Sequence, residues 1–329
     1  MNNFKKVGLS ALAGSLVAFS ANAGSVTVAG SAGMFLEHIN GGAANSGKSF
    51  SMDNQLTFTG GGELDNGLNV SISFVIDQGD DTTTAVGSGT KSFGGGAPFD
   101  SHSVTVSSDS LGSLTMHGEG GSSASGMVDG TVSGNIWDAF QATADEPEAA
   151  PGGGNGLVYV LPSIMDGVAV TTSYAPKGTS ADSSTAWSVA YTGIDGLSLT
   201  YASGEDNATA GSEADHEVMK ATYAYGPITV GYMESDYNDA VASGDQNTTA
   251  YNVAYTISDE LSVSYGSEEL EFGVQSATNV AAEFERLSVT YVTGGMTLTA
   301  SQASGDNVSY STATTEDREV WALGASFAF

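Results

Sequence analysis

The chain is 329 residues long, with 38 acidic residues against 8 basic ones, a formal net charge of −30 and no cysteine. That excess of carboxylate excludes nucleic acid as a partner, because phosphate binding needs clustered positive charge, and the missing thiols exclude disulfide frameworks and thiolate metal sites. Forty-four glycines and six prolines, with a mean hydropathy near zero, argue against a bundle of membrane helices and suit many strands joined by tight turns.

Lys5 and Lys6 form a basic start, Val7 to Phe19 is mostly apolar and small, and Ala21-Asn22-Ala23 supplies a cleavage pattern. Residues 1–23 therefore read as a secretory signal, with the mature chain at 24–329. Removing two lysines takes the charge from −30 to −32 and leaves Lys48, Lys91, Lys177, Lys220, Arg286 and Arg318 as the only cations. No later stretch approaches the roughly 18 apolar residues of a membrane helix.

From there the chain alternates. In Leu68 to Asp77, Leu68, Val70, Ile72, Phe74 and Ile76 share one face, and Asn69, Ser71 and Ser73 the other. Leu197 to Ala202, Leu261 to Gly266 and Met296 to Ser301 repeat the period of two, which is the signature of a strand with one apolar and one polar face. Tyrosine recurs near one end of the apolar faces, at Tyr191, Tyr201, Tyr223, Tyr232, Tyr255 and Tyr291, as an interfacial aromatic girdle would place it. Asp317 to Phe329 closes the series, with Trp321, Leu323, Ala325, Phe327 and Phe329 on one face.

The connections alternate as well. Short turns sit at Asp65-Asn66-Gly67, Ser110-Leu111-Gly112, Asp166-Gly167, Asp195-Gly196, Gly226-Pro227, Ser258-Asp259-Glu260 and Gly294-Gly295. Long acidic segments separate them, among them 205–216, 234–247 and 304–317. Seven short and eight long connections imply sixteen strands, an even number as closure of an antiparallel barrel requires. The fold expected is all-β, a sixteen-stranded antiparallel transmembrane barrel; a β-sandwich is the alternative. One connection is far longer than the rest: about residues 119–155 carry Trp137, Phe140, Asp129, Asp138, Asp145, Glu146 and Glu148, with a short helix expected from Ile136. Structureless connections of that length are usually functional or disordered.

Catalytic signals are poor, and no enzyme is expected. His38, His102, His117 and His216 lack metal spacing, GSGTKS at 87–92 has the wrong spacing for a phosphate loop, and no nucleophile elbow occurs. Glu234, Asp236, Asn238 and Asp245 echo a calcium loop, but strands flank them and Asp239 stands where glycine is needed. They are a candidate calcium site on acidic loops, set against ordinary solvated carboxylates.

The mature chain resembles the general diffusion porins of Gram-negative outer membranes. The resemblance rests on the Ala21-Asn22-Ala23 signal end, the hairpin SVTVSSDSLGSLTMHGEG, the segment NGLVYVLPSIMDGV with Asn155, Tyr159, Pro162 and Gly167, and the aromatic terminal strand ending on Phe329. It implies a homotrimeric, water-filled barrel in outer-membrane lipid, placed there by the barrel-assembly machinery with Phe329 as the assembly signal. It also implies that the third long loop folds inward as a constriction with acidic residues Asp129, Asp138, Asp145, Glu146 and Glu148. Strand parity turns Lys220, Arg286 and Arg318 inward, with His117 as a further basic candidate, whereas Val158 is apolar where relatives often carry a basic residue. The expectation is passive diffusion of small hydrophilic solutes with a preference for cations. A substrate-specific channel and a structural or adhesive, calcium-bridged barrel are the alternatives.

Overall fold

The computed structural model describes residues 26–41, 47–77, 100–140, 155–176, 183–209, 212–313 and 316–329; the expected signal at 1–23 lies outside them. The first half of the barrel is β1 (Val26–Asn40), β2 (Gly47–Glu63), β3 (Asn69–Asp77), β4 (Ser101–Ser108), β5 (Gly112–Glu119), β6 (Leu157–Val160), β7 (Val168–Ala175) and β8 (Ser184–Ile194). The second half is β9 (Leu197–Thr209), β10 (Ser212–Tyr225), β11 (Ile228–Asn238), β12 (Gln246–Thr256), β13 (Leu261–Phe272), β14 (Ala282–Thr293), β15 (Met296–Asp306) and β16 (Arg318–Ala328). Each strand pairs antiparallel with its sequence neighbours, and β1 pairs with β16, so the sheet closes on itself. Closure leaves no unpaired edge, and the sandwich alternative falls. No helix among the described residues is long and apolar enough to cross a membrane, a statement that leaves strands untouched.

Register turns the alternation into two surfaces. Ser264, Ser288 and Ser301 are direct neighbours across β13, β14 and β15, and one step along, Val263, Val289 and Ala300 are neighbours on the opposite face. Val253, Leu287, Val289, Leu298 and Leu323 all remain exposed. A contiguous apolar surface of this kind is what lipid covers and water does not. At one rim the outward face turns acidic: the Tyr201 hydroxyl donates to Glu217 Oε1 at 3.1 Å and the Tyr232 hydroxyl to Glu234 Oε2 at 3.0 Å.

The seven short turns fall where expected. The long connections are partly corrected. Residues 205–216, read as a loop, are largely strand, since β9 runs to Thr209 and β10 begins at Ser212. The 234–247 connection likewise shrinks, because β11 runs to Asn238 and β12 begins at Gln246.

Phe329 extends the seam between first and last strands. Its N–H donates to Gly30 O at 3.0 Å and its carbonyl accepts from Gly30 N–H at 2.8 Å. The ring lies over the space that a side chain at position 30 would fill. Deleting Phe329 removes both bonds and the ring from the closing seam. The expected result is a several-fold drop in folded protein recovered from outer membranes while export continues, measured as heat-modifiable barrel in the membrane fraction; normal yield would contradict it.

Candidate pore constriction

Between β5 and β6 the chain leaves the wall, and the described part of the connection up to Phe140 packs against the inner face of the barrel. Thr131 and Asn135 pin the loop locally. Thr131 N–H donates to Asn135 Oδ1 at 2.8 Å, and Asn135 N–H donates to Thr131 Oγ1 at 2.7 Å. Asn135 takes a φ of 50°, a left-handed conformation asparagine tolerates, and a 3-10 helix, Ile136–Phe140, follows. The described part of the expected helix is therefore present, as a 3-10 turn.

The loop seats on the inner face, where the alternation is broken by apolar residues of the wrong parity. Ile39, Leu270, Ala282, Phe284, Ala303 and Val320 cluster with Ile136 and Phe140 of the loop. Ala202, Val218, Met233 and Ala250 form a second buried patch, against which Val128 and Val132 pack. Glycine makes the approach close enough. A Cβ at Gly266 would stand 2.7 Å from Ser133 Cβ, and one at Gly231 would stand 3.0 Å from Val132 Cβ, distances at which something must shift. At the near end, Ala124 N–H donates to Ser173 Oγ on β7 at 2.9 Å.

One carboxylate holds the loop. Glu268 on β13 is 1% exposed. Its Oε1 accepts from the Thr131 hydroxyl, from the Ser133 hydroxyl at 2.7 Å and from Ile136 N–H at 2.9 Å; its Oε2 accepts from Trp137 N–H at 3.1 Å. A buried carboxylate is tolerable only when its oxygens are satisfied in this way, and Arg286 lies near enough to interact with it. Sequence reasoning missed Glu268. Its parity, shared with Ser262, Ser264 and Gly266, was the available signal.

The three expected cations converge on the same loop, and on its backbone. Lys220 Nζ donates to Gly130 O, Arg286 to Ser133 O at 2.6 Å and Gly134 O at 3.2 Å, and Arg318 to Phe140 O at 3.2 Å. Arg318 also pairs with Glu316 at 2.9 Å. They serve as clamps along successive loop carbonyls. His117 sits apart on β5, its N–H bonded to Gly156 O at 3.0 Å, and Val158 is buried, 4% exposed.

Of the five loop acids, Asp129 and Asp138 are described, while Asp145, Glu146 and Glu148 lie outside the described residues. Asp129 interacts with Lys220. Asp138 lies near Glu37 of β1, and its side chain still reaches solvent. Partial enclosure by the wall nonetheless pushes its carboxyl above the ordinary range. By register and parity, Glu37, Asp53, Asp77, Asp206 and Glu268 share the inner face.

The candidate calcium residues are not gathered. Among the described residues no group of three or more histidines and carboxylates could hold a metal ion. Glu234 and Asp236 point outward from β11, Asp236 Oδ1 accepts from Asn247 Nδ2 at 2.6 Å, and Asp245 Oδ1 accepts from Asp239 N–H at 3.0 Å.

Comparison with known proteins gives three results. The family model for Gram-negative porins matches residues 8–284. No curated protein matches the sequence. Among solved structures, the anion-selective porin from Comamonas acidovorans superposes with a TM-score of 0.67 at 16% identity, covering 93% of this chain and 100% of that one. A loop-deletion mutant of OmpT, an outer membrane protein of Vibrio cholerae, gives 0.65 at 15% identity, covering 94% and 100%. A mutant of the Rh. blastica porin gives 0.64 at 16% identity, covering 93% and 100%. At these identities the likeness carries the fold alone.

Proposed function

This chain belongs to the Gram-negative porin family, and we propose that it forms a cation-preferring, water-filled passage in the outer membrane through which small hydrophilic solutes and ions diffuse. The observation that carries the sign is how the inner charges are used. Each inner cation lies beside a carboxylate, Lys220 by Asp129, Arg286 by Glu268 and Arg318 by Glu316, whereas Asp138 remains open to solvent at the loop surface. A narrow lumen with low-dielectric walls focuses such a field, concentrating cations and excluding anions. The barrel fold itself leaves the sign open, since a structural neighbour is anion-selective; the acids on the inner face, Glu37, Asp53, Asp77 and Asp206, support the cation reading.

The same reading has residues 1–23 removed on export, three copies assembling in the membrane, and loop 119–155 setting the size limit. Swelling of proteoliposomes tests the passage itself. Rates should fall steeply with solute size and show no saturation, and an absence of swelling with the smallest sugars would overturn the reading.

The raised carboxyl of Asp138 gives a pH dependence. A carboxyl pushed upward takes its proton earlier as pH falls, so the constriction loses this charge while ordinary carboxylates are still ionised. Cation preference should begin to decline at a higher pH than an unshifted aspartate would give, and Asp138→Asn should remove that first decline. Reversal potentials recorded as a function of pH check it; identical profiles would contradict it.

A further inference from the structure

Ile39 of β1 packs against the constriction loop, and by parity Gly33, Phe35 and Glu37 of the same strand turn inward with it. A Cβ at Gly33 would stand 2.6 Å from Phe35 Cε2 and 2.7 Å from its Cζ. One at Gly324, across the seam on β16, would stand 2.8 Å from Cδ1 and 2.9 Å from Cε1 of the same ring. The ring therefore lies along the wall, in the space that two missing side chains leave. It is only half-buried, so its free face meets the lumen. Asp53 of β2 is the neighbour of Gly33, and its Oδ1 comes closer still to that Cβ position, which puts it within about 5 Å of the ring edge. Glu37 stands two residues on, about 7 Å along the strand, and Asp138 of the loop lies near it. Asp53 and Asp138 are both exposed. Among the described residues no cation pairs with any of these three carboxylates.

We propose that this part of the lumen is a subsite for a small organic cation with a methylated ammonium group, which rests on the ring of Phe35 while Asp53 and the Glu37–Asp138 pair attract its charge. The site deepens the cation-preferring reading, on which it rests, by naming a class of solute that pauses in passage. The chemistry of the wall selects that class. An aromatic face is the negative side of the ring quadrupole and attracts a cation. A methylated ammonium is weakly hydrated and lays its methyl groups on the ring carbons, which a hydrated potassium ion does not. A metal ion needs oxygens gathered around it. Here the carboxylates flank the ring on two sides, and among the described residues no group of three or more could hold a metal. All three acids repel an anion.

Choline is the probe, read by saturation transfer from the folded protein in deuterated detergent to the choline methyl protons. The transfer should saturate with a midpoint of about 10 mM, a weak site made by one ring and exposed carboxylates. Phe35→Leu, which keeps an apolar side chain and removes the π face, should raise the midpoint about fivefold. Asp53→Asn alters an exposed side chain and serves as the second variant should the first fail to fold; it should raise the midpoint about threefold. The uncharged isostere of choline, with carbon in place of nitrogen, should show no saturable transfer. Absence of saturation with choline would overturn the proposal. Equal transfer to the isostere, or a midpoint unaltered in the folded variants, would overturn it too and leave Phe35 as a filler of the space over two glycines. The readout needs no open pore, whereas proteoliposome swelling judges the channel reading, so the two failures are separate results.

Discussion

Replacing Glu268 with alanine should free the constriction loop from the wall, and this is the largest single-residue effect expected. The substitution leaves Ile136 N–H and Trp137 N–H without their acceptor and strips the Thr131 and Ser133 hydroxyls of theirs. Unsatisfied buried donors cost about 1–3 kcal/mol each, so about 3–5 kcal/mol of seating free energy goes. The barrel ladder does not depend on this side chain and should persist as a heat-modifiable species. Single-channel records should change from one conductance level to a broad, higher distribution, and chymotrypsin should gain access to Trp137 and Phe140. Glu268→Gln should fall between, because one amide oxygen can still serve the Oε1 cluster while its NH2 faces Trp137 N–H. A single wild-type conductance and a protected loop in the alanine variant would show that the apolar seat alone holds the loop.

Neutralising the loop acids should change selectivity without closing the pore. The variant replaces Asp129, Asp138 and Asp145 with asparagine, and Glu146 and Glu148 with glutamine. A unit charge about 8 Å from a permeating ion contributes about 0.5 kcal/mol in water, and about 0.2 kcal/mol after one screening length at 0.15 M salt. Five such charges sum to about 1 kcal/mol, favourable for a cation and unfavourable for an anion, so the cation-to-anion permeability ratio should fall roughly thirty-fold. The remaining inner-face acids should keep it on the cation side. An unchanged ratio would assign the field to the wall and not to the loop.

The barrel was legible because lipid imposes a strict rule on the outward face, and the tight turns marked where each hairpin reversed. The legibility stopped where that rule stops. Beyond the tyrosine rim the outward face carries Glu205, Asp215 and Glu217, so hydropathy no longer alternates, although hydrogen bonding continues to Thr209 and from Ser212. Acidic sequence there looked like loop and is strand. The three cations, which strand parity turns inward, donate to loop carbonyls. Their use as clamps on loop carbonyls was hidden, because a backbone partner leaves no mark in sequence. Glu268 was hidden for another reason: it sits in the run Glu268-Glu269-Leu270-Glu271, where one acid resembles the next until strand parity is applied. Leu270 and Phe284 broke the same parity, and together with Glu268 they outline the seat on which the loop rests.

The sign of the channel is the central claim, and the reversal potential of the wild-type protein across a tenfold KCl gradient in a planar bilayer tests it most directly. The clamped cations and the open carboxylate of Asp138 predict a cation-selective potential that shrinks as total salt rises and the screening length shortens. A potential of zero, or of anion-selective sign, would contradict the account and show that Lys220, Arg286 and Arg318 govern the narrowest part of the passage.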